Sequence, residues 1–124
     1  MRTVEDWRTL LRSELKRALV ERRVHAAAVL RETLAAIDNA EAPPVRSVPA
    51  GEASPVFARA VRGVGAGEIA RIQLSPAAMT AIIQREIEDR RRAAAEYSTL
   101  GRHEEACALA AQVEVLVSLA SDQT

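Results

Sequence analysis

Apolar positions recur along most of this chain at steps of three and four residues. Val4, Trp7, Leu11, Leu15, Ala18 and Leu19 form the first such series, the period of a helix with one buried stripe. Thr3 followed three residues later by Asp6 is a capping box with Asp in place of Glu or Gln, and it predicts a helix from there to about Arg22. A second helix is expected from roughly His25 to Ala42, with Val29, Leu30, Thr33, Leu34 and Ile37 inward. Pro43 and Pro44 end it, because a proline ring disfavours helix at the residue before it. From Pro43 to Ser75 the period dissolves, and Pro49, Gly51, Pro55, Gly63, Gly65 and Gly67 punctuate the stretch. This predicts a mobile loop over about 43–74, with at most a short turn from Val56 to Val61 capped by Ser54.

Ser75-Pro76 is a strong start signal, a capping hydroxyl before a ring already set for the first helical position. The helix it opens carries Met79, Ile82, Ile83, Ile87, Ala94 and Tyr97 inward and should stop at Gly101, a residue suited to a left-handed cap. A fourth helix follows to about Leu119, with Ala106, Leu109, Ala110, Val113, Leu116 and Val117 on one side and a polar tail from Ser121 to Thr124. Short turns at Arg23 and Gly101 make neighbouring helices antiparallel. The expected architecture is all-α: a small multihelical bundle of two antiparallel helical hairpins joined by a long Pro/Gly-rich loop, in a single domain over 1–124.

Composition narrows the function classes. The chain has 124 residues, enough for one core, and its 17 basic side chains balance 17 acidic ones, which removes the broad positive field of many nucleic-acid binders. Trp7, Phe57 and Tyr97 are its aromatics, too few and too scattered for a base-stacking platform. A single cysteine, Cys107, excludes an internal disulfide and suits a reducing compartment. Early charges at Glu5 and Asp6 interrupt any signal-peptide core. The uncharged stretch from Ala106 to Val113 is far short of the roughly 20 residues that span a bilayer. A soluble, cytoplasmic chain with no membrane partner is expected.

Candidate chemistry is sparse. His25 and His103 fall at predicted helix starts, without a Cys or carboxylate cluster at metal-ligand spacing, and read as solvated terminal residues. Cys107 lies in the first turns of the fourth helix, where a helix dipole favours a thiolate, yet its Ala-rich surroundings read as core. Gly63-Val64-Gly65-Ala66-Gly67 lacks the strand and the Lys-Ser/Thr of a phosphate-binding loop. No catalytic residue, cofactor or metal is expected. On the third helix, Arg85 with Asp89, Glu86 with Arg90 and Glu88 with Arg92 stand four apart, as in an exposed, self-paired face. Arg8, Arg12 and Lys16 instead make a like-charged row on the first helix, with Arg22 and Arg23 at its far end. That row is the candidate contact for a polyanion or an acidic partner. Its plainer reading is a solvated face partly neutralised by Glu5 and by acids on a neighbouring helix.

Two stretches, Ala28-Val29-Leu30-Arg31-Glu32-Thr33-Leu34-Ala35-Ala36-Ile37-Asp38-Asn39-Ala40-Glu41 and then Arg85-Glu86-Ile87 through Arg90, Ala94, Ala95, Glu96, Tyr97, Gly101, Arg102 and Glu114, resemble the YqeY-like (GatB/YqeY) family. That family is related to the tail region of the B subunit of the tRNA-dependent amidotransferase. The similarity covers about two thirds of the chain. Its most specific part is Glu-Tyr, a three-residue gap and Gly-Arg before an Ala-rich helix. The resemblance implies a non-catalytic helical accessory or binding module associated with that amidotransferase, a carbon–nitrogen ligase using glutamine as amido donor, or with another translation-linked complex. Partners implied are tRNA or a protein of such a complex, and any amidotransferase activity would arise by association. Against the family pattern, the 43–74 loop is longer and the usual C-terminal helical subdomain is missing. The alternative from the residues themselves is an RNA-independent protein-interaction scaffold.

Overall fold

A computed structural model describes residues 1–43 and 70–122. The turn expected over Val56–Val61, the glycine run Gly63–Gly67 and most of the expected loop lie outside the described residues. Among the described residues are four helices: α1 (Val4–Val20), α2 (Val24–Glu41), α3 (Pro76–Thr99) and α4 (His103–Ser121). Among the described residues there is no strand, and no helix is long and apolar enough to cross a membrane.

The helix starts follow local chemistry. The Asp6 amide donates to the Thr3 hydroxyl at 3.1 Å and the Thr3 amide donates back to the Asp6 carboxylate at 3.0 Å, closing the reciprocal capping box. The bonds from Thr3 hold the Asp6 carboxyl below its ordinary value. Ser75 caps α3 by accepting from the Ala78 amide at 3.0 Å, with Pro76 in the first turn. At the far end of α2, Ala42 is extended ahead of Pro43, as the ring requires.

Both hairpins turn on the same device. After α1, Arg22 adopts φ 58°, its amide donates to the Leu19 carbonyl at 3.3 Å, and the Arg23 amide donates to the Ala18 carbonyl at 2.8 Å. After α3, Gly101 adopts φ 78°, its amide donates to the Ser98 carbonyl at 3.0 Å, and the Arg102 amide donates to the Tyr97 carbonyl at 2.8 Å. Each is a Schellman motif with a left-handed residue just past the helix end, and the next residue is the N-cap of the following helix. The first helix therefore ends at Val20, short of the expected Arg22, because Arg22 takes the position that glycine usually fills.

The core is a single cluster: Trp7, Leu11 and Ala18 from α1, Val29, Leu30 and Ile37 from α2, Met79, Ile83 and Ile87 from α3, and Val113, Leu116 and Leu119 from α4. Thr33 is also buried, its hydroxyl satisfied by the Val29 carbonyl at 2.7 Å. α3 packs along α4 and α1 along α2, while α2 reaches across to α4 and α3. His25 at the start of α2 lines one groove with His103 and Cys107 at the start of α4. Both hairpin turns thus sit at the same end of the bundle.

Three inward assignments change. Leu19 is 47% exposed, since Ala18, one residue earlier, takes the buried position in the last turn of α1. Ala110 and Cys107 are exposed: the run of small residues in α4 leaves its period ambiguous, and the larger Val113, Leu116 and Leu119 decide which face is buried. Arg90, expected on a solvated face, is buried. It follows Ile83 and Ile87 on the inward stripe. There it donates to Glu32 on α2, to Gln112 on α4 at 3.1 Å and to Glu86 at 2.7 Å, linking three helices. On the exposed side of α3, Arg91 pairs with Glu88 at 3.1 Å and Arg92 pairs with Asp89. The expected Glu88–Arg92 pair is thus replaced by pairs three residues apart.

Candidate binding surface

The basic row on α1 divides in two. Arg8 points inward and is 8% exposed. Its guanidinium donates to Asp38 at 2.7 Å, to both oxygens of Glu41, and to Glu5 at 3.4 Å. The acids of the neighbouring helix that the plainer reading invoked are Asp38 and Glu41. They occupy the last turn of α2, where the negative end of the helix dipole disfavours carboxylates and no basic side chain of α2 offsets them. Arg8 supplies that charge in a fork suited to carboxylates. Its hydrogen bonds to Glu41 and Asp38 raise its own pKa, and Arg8 is the main reason the Glu41 carboxyl lies below its ordinary value despite burial. Arg71 adds a second bond to Glu41 at 3.2 Å, and the Ile72 amide donates to the Glu41 carbonyl at 2.8 Å. The end of α2 is thereby tied to the segment that enters α3, and Leu74 packs against the core. With these partners, Arg8 is not open to a polyanion.

Arg12 and Lys16 remain exposed and form no ion pair among the described residues. Four residues beyond Lys16 is Val20, 77% exposed, so the row leads into the α1–α2 turn. Arg22 and Arg23 stand in that turn. Arg23 pairs with Glu21 at 3.6 Å, and Arg17 pairs with Glu14 and Glu21, each at 3.7 Å. Arg22 and Arg31 form no ion pair among the described residues. Between them is a concavity of about 150 Å³, lined by Ala18, Leu19, Arg22, Arg23, Val24, Ala27 and Arg31. Val24 is 72% exposed, and Leu100 in the matching α3–α4 turn is also exposed.

Beside this corner, the groove between the starts of α2 and α4 measures about 570 Å³ and is lined by His25, His103, Glu104, Cys107 and Ala108. His25, far from them in sequence, shares it with His103 and Cys107. Among the described residues no group of three His, Cys, Asp or Glu side chains is arranged to hold a metal ion. Arg102 closes the α4 start by pairing with Glu105 at 2.7 Å and lies 5.2 Å from the centre of the Tyr97 ring. Bonds from the Glu105 amide and from Arg102 hold the Glu105 carboxyl below its ordinary value.

The structure thus keeps Arg12, Lys16, Arg22 and Arg23 on the surface, removes Arg8 from it and adds Arg31, Leu19, Val20 and Val24. Arg31 was part of the α2 sequence but carries no pattern of its own. Its place beside Arg22 depends on the turn between the helices. No protein-family model matches the chain, and no curated protein or solved structure does either.

Proposed function

We propose that the chain is a helical accessory module of the YqeY-like type, which works by binding and is associated with a tRNA-dependent amidotransferase or another translation-linked complex. The observation that supports a binding role is the basic face from Arg12 and Lys16 to Arg22, which forms no ion pair among the described residues, where most other arginines are engaged by carboxylates. Cations without internal partners keep their field for a polyanion. If these side chains meet tRNA phosphates, each lost contact lowers the slope of log affinity against log salt by about one unit and weakens binding without regard to sequence. Arg12→Glu, at an exposed mid-helix position, is the direct test: tRNA affinity at low salt should fall while the thermal unfolding midpoint is unchanged. Equal affinity of wild type and Arg12→Glu, or no affinity for either, sets the tRNA role aside.

A second reading, an RNA-independent protein-interaction scaffold, is favoured by the exposed aliphatic residues at the α1–α2 turn, where Val20 and Val24 have no function in the core. Purification from the native cell with and without ribonuclease separates the two. A protein partner retained after ribonuclease treatment supports the scaffold, and a partner lost with the RNA supports the tRNA-linked module.

A further inference from the structure

We infer that the concavity at the α1–α2 turn docks an acidic segment of a partner protein, seating one aliphatic side chain on its apolar floor and placing carboxylates against Arg22 and Arg31. This rests on the protein-binding arm of the reading above. The floor is Ala18 and Ala27, both buried, whose small side chains leave the recess open. Leu19 and Val24 are its aliphatic walls, and three guanidiniums stand at its rim. At about 150 Å³ it is smaller than the ~300–1,000 Å³ of small-molecule sites and suits a single side chain. Aliphatic walls offer a nucleobase nothing to stack on, and Trp7, the nearest aromatic in sequence, is buried. Three aliphatic residues confined to one turn do not make the long apolar stripe of a helix that lies in a membrane surface. A planar guanidinium without an acid of its own is suited to a carboxylate, which it can hold through two parallel bonds.

The backbone at Arg22 carries the argument further. Arg22 and Gly101 occupy the same position in two equivalent turns, both left-handed. Glycine serves at one. At the other an arginine is held in a conformation that L-residues rarely adopt, and its side chain gains no ion pair among the described residues. The turn's backbone bonds close the hairpin, but among the described residues the Arg22 side chain itself gains no acid, which a ligand carboxylate would supply.

Selection from a random peptide display library on the purified chain tests the inference, followed by fluorescence anisotropy of one selected peptide. Enriched peptides should share an aliphatic residue flanked by Glu or Asp. Arg22→Gly removes the guanidinium while relieving the backbone, so affinity should fall about ten-fold while the unfolding midpoint stays or rises. Val24→Asp and Arg31→Gln should weaken the same peptide, and Arg85→Gln, on the exposed side of α3, should not. Enriched peptides without acidic residues, or peptides that bind Arg22→Gly and Val24→Asp as tightly as wild type, overturn it. So does a single-stranded RNA that binds better than every selected peptide and loses affinity in the same variants. A native partner protein insensitive to Arg22→Gly overturns the corner while keeping the binding-module reading.

Discussion

Replacing Arg8 by Met retains an aliphatic stem at that buried position and deletes the guanidinium that joins α1 to the end of α2. Breaking a buried ion pair from one side typically costs ~3–5 kcal/mol, because the remaining charge stays buried without a partner. Here Glu41 is the group left behind, with a side chain 11% exposed. Its other partner, Arg71, lies at 3.2 Å but is 68% exposed, and an exposed cation compensates weakly. Asp38 is largely solvated and loses little. The expected cost is therefore near the lower limit, about 3 kcal/mol at neutral pH, or a fall of roughly 10 to 20 °C in unfolding midpoint.

The opposite truncation, Glu41→Gln, should cost less, about 1 to 2 kcal/mol, since Arg8 keeps Asp38 at 2.7 Å and Glu5 at 3.4 Å. The double variant Arg8→Met with Glu41→Leu should be more stable than the sum of the single losses predicts. Urea unfolding followed by the fluorescence of Trp7, the single tryptophan and a buried one, measures all three. The pH dependence has a definite sign. Because the Glu41 pKa is lower in the folded chain than its ordinary value of 4.5, the stabilisation is complete above that value and is lost as pH falls through the folded one. The gap between wild type and Arg8→Met should narrow over that range. A loss below about 1 kcal/mol for Arg8→Met at neutral pH would match a solvated surface charge and refute the buried-clamp account. A gap that stays constant into acid would do the same.

Arg90→Met should cost about 2 kcal/mol by urea unfolding, and Arg90→Lys should recover less than half of it, because one ammonium cannot serve Glu32, Glu86 and Gln112 together. Full recovery by Lys would mean that charge alone matters there. Gly101→Ala meets nothing within 4 Å, so its cost should be conformational, about 1 kcal/mol, read as a lower unfolding midpoint with an unchanged circular dichroism spectrum. Cys107 should react with a thiol reagent in the native protein without loss of helicity. Protection comparable to that of a core thiol would contradict its exposure.

The helix starts at Thr3 and Ser75, the stop at Pro43 and the left-handed end at Gly101 were all legible in the chain, because a cap or breaker acts on groups within about four residues of itself. The stripes of α1, α2 and α3 were legible for a related reason. A large side chain among charged ones marks the buried face without knowledge of its neighbour. Where α4 is built mainly from small residues, that contrast fails, and packing against α2 and α3 placed Cys107 outside. Arginines exposed the larger gap between sequence and structure. Arg8 and Arg12 belong to one row by spacing, yet Arg8 is saturated by carboxylates 30 and 33 positions away and Arg12 is not. Arg90 resembles its neighbours in α3 until Glu32, 58 positions away, meets it. Arg22 bears no mark of its left-handed backbone, since only the closure of α1 onto α2 demands that conformation. Local hydrogen bonding and hydrophobic contrast are carried by the order of residues. Which of several identical cations is neutralised, and which is left to face a partner, is decided by distances that arise only when the helices pack.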